Sequence, residues 1–234
     1  MGIFKAYDIR GIYGKDVDEG IFYRIARAYA QFLRPSKVAV ARDCRKSSPS
    51  LFQAFAKGLV DEGVDVIDLG LASTPMSYFA NGTLGVDGSV MITASHNTRE
   101  WNGCKLCRAG AVPISGATGI RDIEKIFEGV NEFDPPAGVG EITKVDVSKA
   151  YAEHVRSFTK LSRPLHLALD FANGMGIAFI PNECVEHHPG VQYVPLQNWH
   201  QALYMCILYD KWLEPPVWDF IEHVVKGFRA KNTH

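Results

Sequence analysis

Strand-like and helix-like segments alternate through the first half of this chain, and that alternation leaves few folds open to it. Lys37-Val-Ala-Val-Ala-Arg-Asp43 is a short apolar, β-rich run. Ser47-Ser-Pro49 follows and places a capping hydroxyl before a proline at a first-turn position. Behind it, Leu51, Phe52, Phe55, Ala56, Leu59 and Val60 recur at helical spacing until Gly63. Val64–Leu69 reads as a second strand, Thr74–Leu84 as a short helix and Gly88–Thr93 as a third strand. Successive strands joined by helices pair in parallel and are covered on both faces. The pattern therefore predicts an α/β fold, a mostly parallel sheet sandwiched by helices. Asp18 is placed to cap a preceding helix that carries Ile21, Phe22, Ile25, Tyr29 and Phe32 on one face, and Gly116–Phe127 reads as a following helix.

The stretch Asn131–Gly140 holds two prolines and two glycines with little apolar content, so a domain boundary is expected there or shortly after. We place the first domain at 1–146 and a partial second α/β domain at 147–234. The second opens with a helix at about Val147–Phe158, a strand at Leu165–Phe171 and the Gly174-Met-Gly176 turn. From about Pro181 the sequence diverges into a Trp-rich, apolar tail whose stripe Trp218, Ile221, Val225 and Phe228 invites self-association. Lys and Arg number 25 against 26 Asp and Glu, a net charge of -1, so no global basic field exists for nucleic acid or an anionic membrane. The longest apolar run, Ala202–Tyr209, is far short of the roughly 20 residues a bilayer needs. Five thinly spread cysteines are no disulfide framework, and the chain reads as a cytoplasmic protein with reduced thiols.

Chemistry concentrates in Thr93-Ala-Ser-His-Asn-Thr98 and Trp101-Asn-Gly-Cys-Lys105. Ser95 falls just past the carboxyl end of a parallel strand, where open α/β sheets place ligands. The same residues would also serve as an ordinary polar turn. A nucleophilic serine needs a base or an electrophile nearby, and the Asn102-Gly103 dipeptide is a turn signal that would fold the chain back so that Lys105 faces Ser95. Lysine suits phosphate as a compact point charge.

Four spaced segments, Ala6-Tyr-Asp-Ile-Arg-Gly11, Arg42-Asp-Cys-Arg-Lys-Ser-Ser-Pro49, Thr93-Ala-Ser-His-Asn97 and Asn102-Gly-Cys-Lys105, occur together in one order. In this they resemble the α-D-phosphohexomutases, in the phosphomannomutase/phosphoglucomutase branch. The resemblance runs to about residue 180 and includes Leu169-Asp-Phe-Ala-Asn-Gly-Met-Gly176, similar to the start of that family's second domain. It implies phosphoryl transfer between the 1 and 6 positions of a hexose phosphate through a phosphoserine and a bisphosphate sugar, with glucose or mannose 1,6-bisphosphate as activator. It makes Ser95 the phosphate carrier and, through its phosphoryl oxygen, a ligand to Mg2+. Lys105, His96 and Arg10 become catalytic groups, and Tyr7, Arg10, Asn97, Asn102 and Lys105 substrate contacts. Read from the residues alone, Arg10 would be a surface turn, Tyr7 a core residue, and Asp43 with Arg45 an internal ion pair.

Two departures from the family stand out. Thr98 replaces the usual proline after the asparagine, and the Asp-x-Asp-x-Asp-Arg metal loop has no counterpart. A truncated or frame-disrupted reading frame with impaired activity is one expectation. The alternative is a non-catalytic remnant that binds phosphosugars or serves as an interaction protein. Other signals are weaker: Gly174-Met-Gly176-Ile-Ala-Phe179 mimics a dinucleotide fingerprint without its third glycine, Cys104-Lys-Leu-Cys107 has no second cysteine pair, and Cys184, His187, His188 and His200 read as scattered surface groups.

Overall fold

The computed structural model describes residues 2–131 and 136–158, together with the backbone of three short strands beyond them. It divides into two compact units, Met1–Arg163 and Pro164–His234. The first unit is built from β1 (Ile9–Ile12), α1 (Glu19–Leu33), β2 (Lys37–Arg42), α2 (Ser48–Asp61), β3 (Asp65–Leu71), α3 (Thr74–Thr83), β4 (Gly88–Ile92), β5 (Trp101–Arg108), β6 (Val112–Pro113), α4 (Arg121–Gly129), β7 (Ile142–Lys144) and α5 (Ser148–Ser157). Its sheet has the order β1-β5-β4-β2-β3-β7, with β6 on β5. The strands β4, β2, β3 and β7 run parallel, while β5 turns antiparallel to β4 and carries β1.

This order follows from chain handedness. Both crossovers, β2-α2-β3 and β3-α3-β4, take the right-handed course, but the first steps to one side of β2 and the second returns to the other. Their helices therefore cover opposite faces. Val38, Val40, Val66, Val90 and Ile92 join Phe22, Ile25, Leu51, Phe55, Leu59 and Ile123 of α1, α2 and α4 in one core cluster. Ala39, Ala41 and Met91 alternate with them and are buried, as are Met76 and Ala80 of α3. The reversal in direction puts the topological switch point at the carboxyl ends of β2 and β4, the place where open α/β sheets bind ligands.

Several local expectations are modified. Asp18 does cap α1, accepting from the Ile21 amide at 2.8 Å. Ser47 does not cap α2 with its side chain: its own backbone is helical, and its hydroxyl is taken by Asn102. The helix anticipated over Gly116–Phe127 is kinked at Gly119 (φ 150°) before α4 begins. A Cβ at Gly119 would sit 2.4 Å from the Phe32 ring, so the backbone reaches that packing with no room for a side chain. Past the stretch Asn131–Gly140, β7 adds to β3, and α5, the helix expected to open the second domain, sets Tyr151 against Phe79, ring centroids 5.6 Å apart. These contacts fall within the first compact unit, Met1–Arg163.

In the second unit, β8 (Ile177–Pro181), β9 (Val191–Pro195) and β10 (Leu203–Leu208) form an antiparallel sheet in the order β8-β10-β9. Ile177–Pro181 is a strand where a dinucleotide fingerprint requires a helix, which removes the physical basis of that resemblance. The strand expected at Leu165–Phe171, the Cys184–His200 group and the Trp218–Phe228 stripe lie outside the described residues. Among the described residues, no helix is long and apolar enough to cross a membrane.

Candidate active site

Ser95 lies three residues past the end of β4, at the switch point of the sheet. Its φ of 54° is left-handed, a region that costs a non-glycine residue about 1–3 kcal/mol and persists where surrounding contacts fix it. Here the contacts are explicit. The Ser95 amide donates to the Thr93 hydroxyl at 2.9 Å, and the Ser95 carbonyl accepts from the Arg45 guanidinium at 3.0 Å. Arg45 also donates to the carbonyls of Asn97 (2.8 Å), Thr98 (2.7 Å) and Trp101 (3.1 Å). Its Nε pairs with Asp43 at 3.0 Å, and the arginine is 6 % exposed. The internal ion pair read from the residues is thus present, and its cation reaches on into the serine loop.

A second polar layer supports the first. The Ser48 hydroxyl donates to Asp43 at 2.5 Å, and the buried Asn102 amide donates to the Ser47 and Ser48 hydroxyls at 2.8 and 3.0 Å. Asn102 therefore holds the α2 N-terminal segment to β5. The resemblance assigns Asn102 to the substrate, and its side chain is wholly buried. Asn102-Gly103 is not a turn either. Both residues lie inside β5, and the reversal occurs earlier, with the Asn97 amide bonded to the Ala94 carbonyl and the Trp101 amide to the Thr98 carbonyl. Gly103 is required by β1, because a Cβ there would lie 2.2 Å from the Ile9 carbonyl oxygen.

The charged groups come from β1 and β5. Arg10 donates to the Asn97 side-chain oxygen at 2.8 Å, which ties the edge strand to the serine loop. Arg10 Nε stands 3.2 Å and Lys105 Nζ 3.6 Å from opposite oxygens of Asp8, so one largely buried carboxylate spaces two partly exposed cations. Tyr7 is 77 % exposed and His96 is exposed on the loop. Ser95, Asn97, Arg10 and Lys105 thus belong to one connected constellation. Sequence reasoning did not single out Asp8, Thr93, Ser47 or Ser48. Asp8 stood between two residues that it did choose, and Ser47 was assigned to capping.

The thiols of Cys104 and Cys107 are outside this chemistry. Three residues apart on a strand, they face opposite sides of the sheet and cannot share a metal. Burial pushes both thiols up, Cys107 to about 11.

The family described as phosphoglucomutase/phosphomannomutase, alpha/beta/alpha domain I, matches residues 1–133. A phosphomannomutase of Escherichia coli is 48 % identical over 176 residues, which cover 73 % of this chain and 38 % of that protein. A phosphomannomutase of Klebsiella pneumoniae is 51 % identical over 152 residues, covering 64 % of this chain and 96 % of the relative. The crystal structure of a phosphoglucomutase/phosphomannomutase family protein from Burkholderia thailandensis superposes with a TM-score of 0.62 at 39 % identity, over 70 % of this chain and 37 % of that one. The chain belongs to the phosphoglucomutase/phosphomannomutase family. It spans a little over a third of the length of the Escherichia coli relative.

Magnesium is the ion implied by the family. Among the described residues, no group of three or more His, Cys, Asp or Glu could hold a metal ion. Asp8, the carboxylate paired to Lys105 and Arg10, is already engaged with those two cations. The described residues therefore do not fit a magnesium site by themselves.

Proposed function

We propose that Ser95 carries a phosphoryl group and exchanges it with a hexose phosphate, the half of a phosphomannomutase/phosphoglucomutase reaction that this first unit contributes. The observation that carries the reading is the strained serine at the carboxyl ends of β2 and β4, on a loop bonded to Arg10, which shares Asp8 with Lys105. In the forward step the bond between phosphorus and Ser95 Oγ breaks, a bond to the sugar hydroxyl oxygen forms, and the hydroxyl proton passes to Ser95 Oγ. The bisphosphate sugar then returns its other phosphate to the serine by the same exchange. Arg10 and Lys105 stabilise the charge on the transferring group, since phosphoryl transfer relies on positioning and electrostatics more than on covalent help from the protein. Asp8 holds the two cations apart and limits their mutual repulsion. Glucose or mannose 1,6-bisphosphate is the activator that loads the serine.

Incubation with phosphate-labelled glucose 1,6-bisphosphate tests this directly. Label is expected on Ser95, and Ser95→Ala is expected to remain unlabelled. Label on another residue, with Ser95 clean, overturns the assignment. Saturable phosphosugar binding without any label would favour the second reading, a non-catalytic phosphosugar-binding protein.

A further inference from the structure

We propose that Arg45 is a positioning residue for phosphoryl transfer, acting on Ser95 through the backbone of its loop; this rests on the reading that Ser95 carries phosphate. A guanidinium has five N–H donors in a fixed planar fork, and all five are used here. Nε donates to Asp43, Nη1 to the carbonyls of Thr98 and Trp101, and Nη2 to those of Ser95 and Asn97. Ser95, Asn97 and Thr98 lie outside any helix or strand and Trp101 opens β5, and one buried cation reaches the carbonyls of all four with charge-assisted bonds. Asp43 orients the fork and is itself fixed from two further directions, by the Arg45 amide and the Ser48 hydroxyl.

This geometry does more than stabilise the fold. Ser95 is gripped on its amide by Thr93 and on its carbonyl by Arg45, which together hold the left-handed backbone that presents its side chain. Asn97 is held on its carbonyl by Arg45 and on its side chain by Arg10, so one cation below the loop sets the register between serine and the β1 cation. Lysine has three donors on a single nitrogen and cannot reproduce a planar contact with four carbonyls. An Arg45→Lys chain keeps the charge and loses the geometry.

The test uses the full chain, comparing wild type with Arg45→Lys and Asp43→Asn by hydrogen exchange and by the rate of Ser95 labelling from glucose 1,6-bisphosphate. In wild type, the amides of Asn97 and Trp101, bonded within the loop, are expected to be protected. In Arg45→Lys they should exchange faster while amides of Phe22–Tyr29 in α1 keep their protection. The maximal labelling rate should fall about a hundredfold, the scale of a small misplacement of a reacting group. The bisphosphate concentration giving half that rate should change far less, because Arg10 and Lys105, the cations that meet the phosphate, stand on β1 and β5 outside the loop. Asp43→Asn should act in the same direction more weakly. If Arg45→Lys fails to fold, Asp43→Asn and the wild-type loop protection decide. Unprotected Asn97 and Trp101 amides in wild type, a loop unchanged in a folded variant, or a loosened loop with undiminished maximal labelling each overturn the proposal. Wild type that never labels Ser95, yet loosens its loop on Arg45→Lys, overturns the phosphate-carrier reading and leaves the loop clamp standing.

Discussion

At Asp61, burial alone would raise the carboxyl pKa, but hydrogen bonds from the Lys57 ammonium and the Tyr23 hydroxyl outweigh burial, and the net shift is downward. A carboxyl depressed on folding stabilises the native state fully above its unfolded pKa, and that contribution is lost as pH falls through the folded one. Asp61→Ala, which takes a carboxylate away from both the Tyr23 hydroxyl and the Lys57 ammonium, is expected to cost about 1–3 kcal/mol at neutral pH. The gap from wild type should narrow in urea titrations below about pH 4, where the unfolded carboxyl is protonated. A gap that stays constant from neutral to acid pH would show that packing, and not the ionised carboxylate, supplies the loss. Arg45 and Asp43 are a contrasting case at the same scale. Sequence could place them as an ion pair, because they are two residues apart in a polar motif. It could not show the guanidinium reaching Ser95, because that contact crosses fifty positions and depends on β2 and β4 lying side by side.

Pairing of β1 with β5 delivers Arg10 to the serine loop, and it rests on one absent side chain. At Gly103, a Cβ would meet the Ile9 carbonyl oxygen at 2.2 Å and the Arg10 Cβ at 2.7 Å, neither of which can swing aside. Gly103→Ala is therefore expected to cost about 1–3 kcal/mol, the usual penalty of overpacking. It should also loosen β1, with faster exchange at Ile9 and Gly11, whose amides face β5, and a slower maximal rate of Ser95 labelling. An alanine variant with wild-type stability and labelling would mean that β1 adjusts freely and that its register does not matter to the site. The parallel strands and their helices were legible because apolar spacing reports burial on a regular element, and β2, β3, β4 and α1 to α3 arise from such runs. Asn102-Gly103 misled for a physical reason. The dipeptide that favours a hairpin turn by its left-handed freedom is used here for close approach of a neighbouring strand, and one sequence cannot separate the two uses of glycine.

The extent of the first unit turns on the same ambiguity over a longer stretch. Gly138 and Gly140 looked like linker residues, yet a Cβ at Gly138 would lie 2.8 Å from Gly63 Cα and one at Gly140 would lie 2.1 Å from the Val64 carbonyl oxygen. The amides of Ala137 and Gly138 bond to the Asp61 carbonyl and that of Gly140 to the Val60 carbonyl, so this segment is stitched to the end of α2 before β7 joins β3. Beyond it, α5 places Tyr151 and His154 against Phe79 of α3, with centroids 5.6 and 5.0 Å apart. Aromatic contacts of this kind contribute about 0.5–1.5 kcal/mol each beyond the area they bury. We therefore propose that the independently stable portion of the chain ends near Arg163, where the two compact units divide, and that a chain cut at residue 146 would leave Phe79 without its cover. Limited proteolysis is expected to yield an N-terminal fragment that retains α5. A recombinant 1–163 chain should melt several degrees above 1–146, given about 2–4 °C for each kcal/mol in a domain of this size. Accumulation of a stable fragment ending between Asn131 and Val147, or equal melting of the two recombinant chains, would show that β7 and α5 add nothing to the unit and that the glycine-rich stretch is a linker after all.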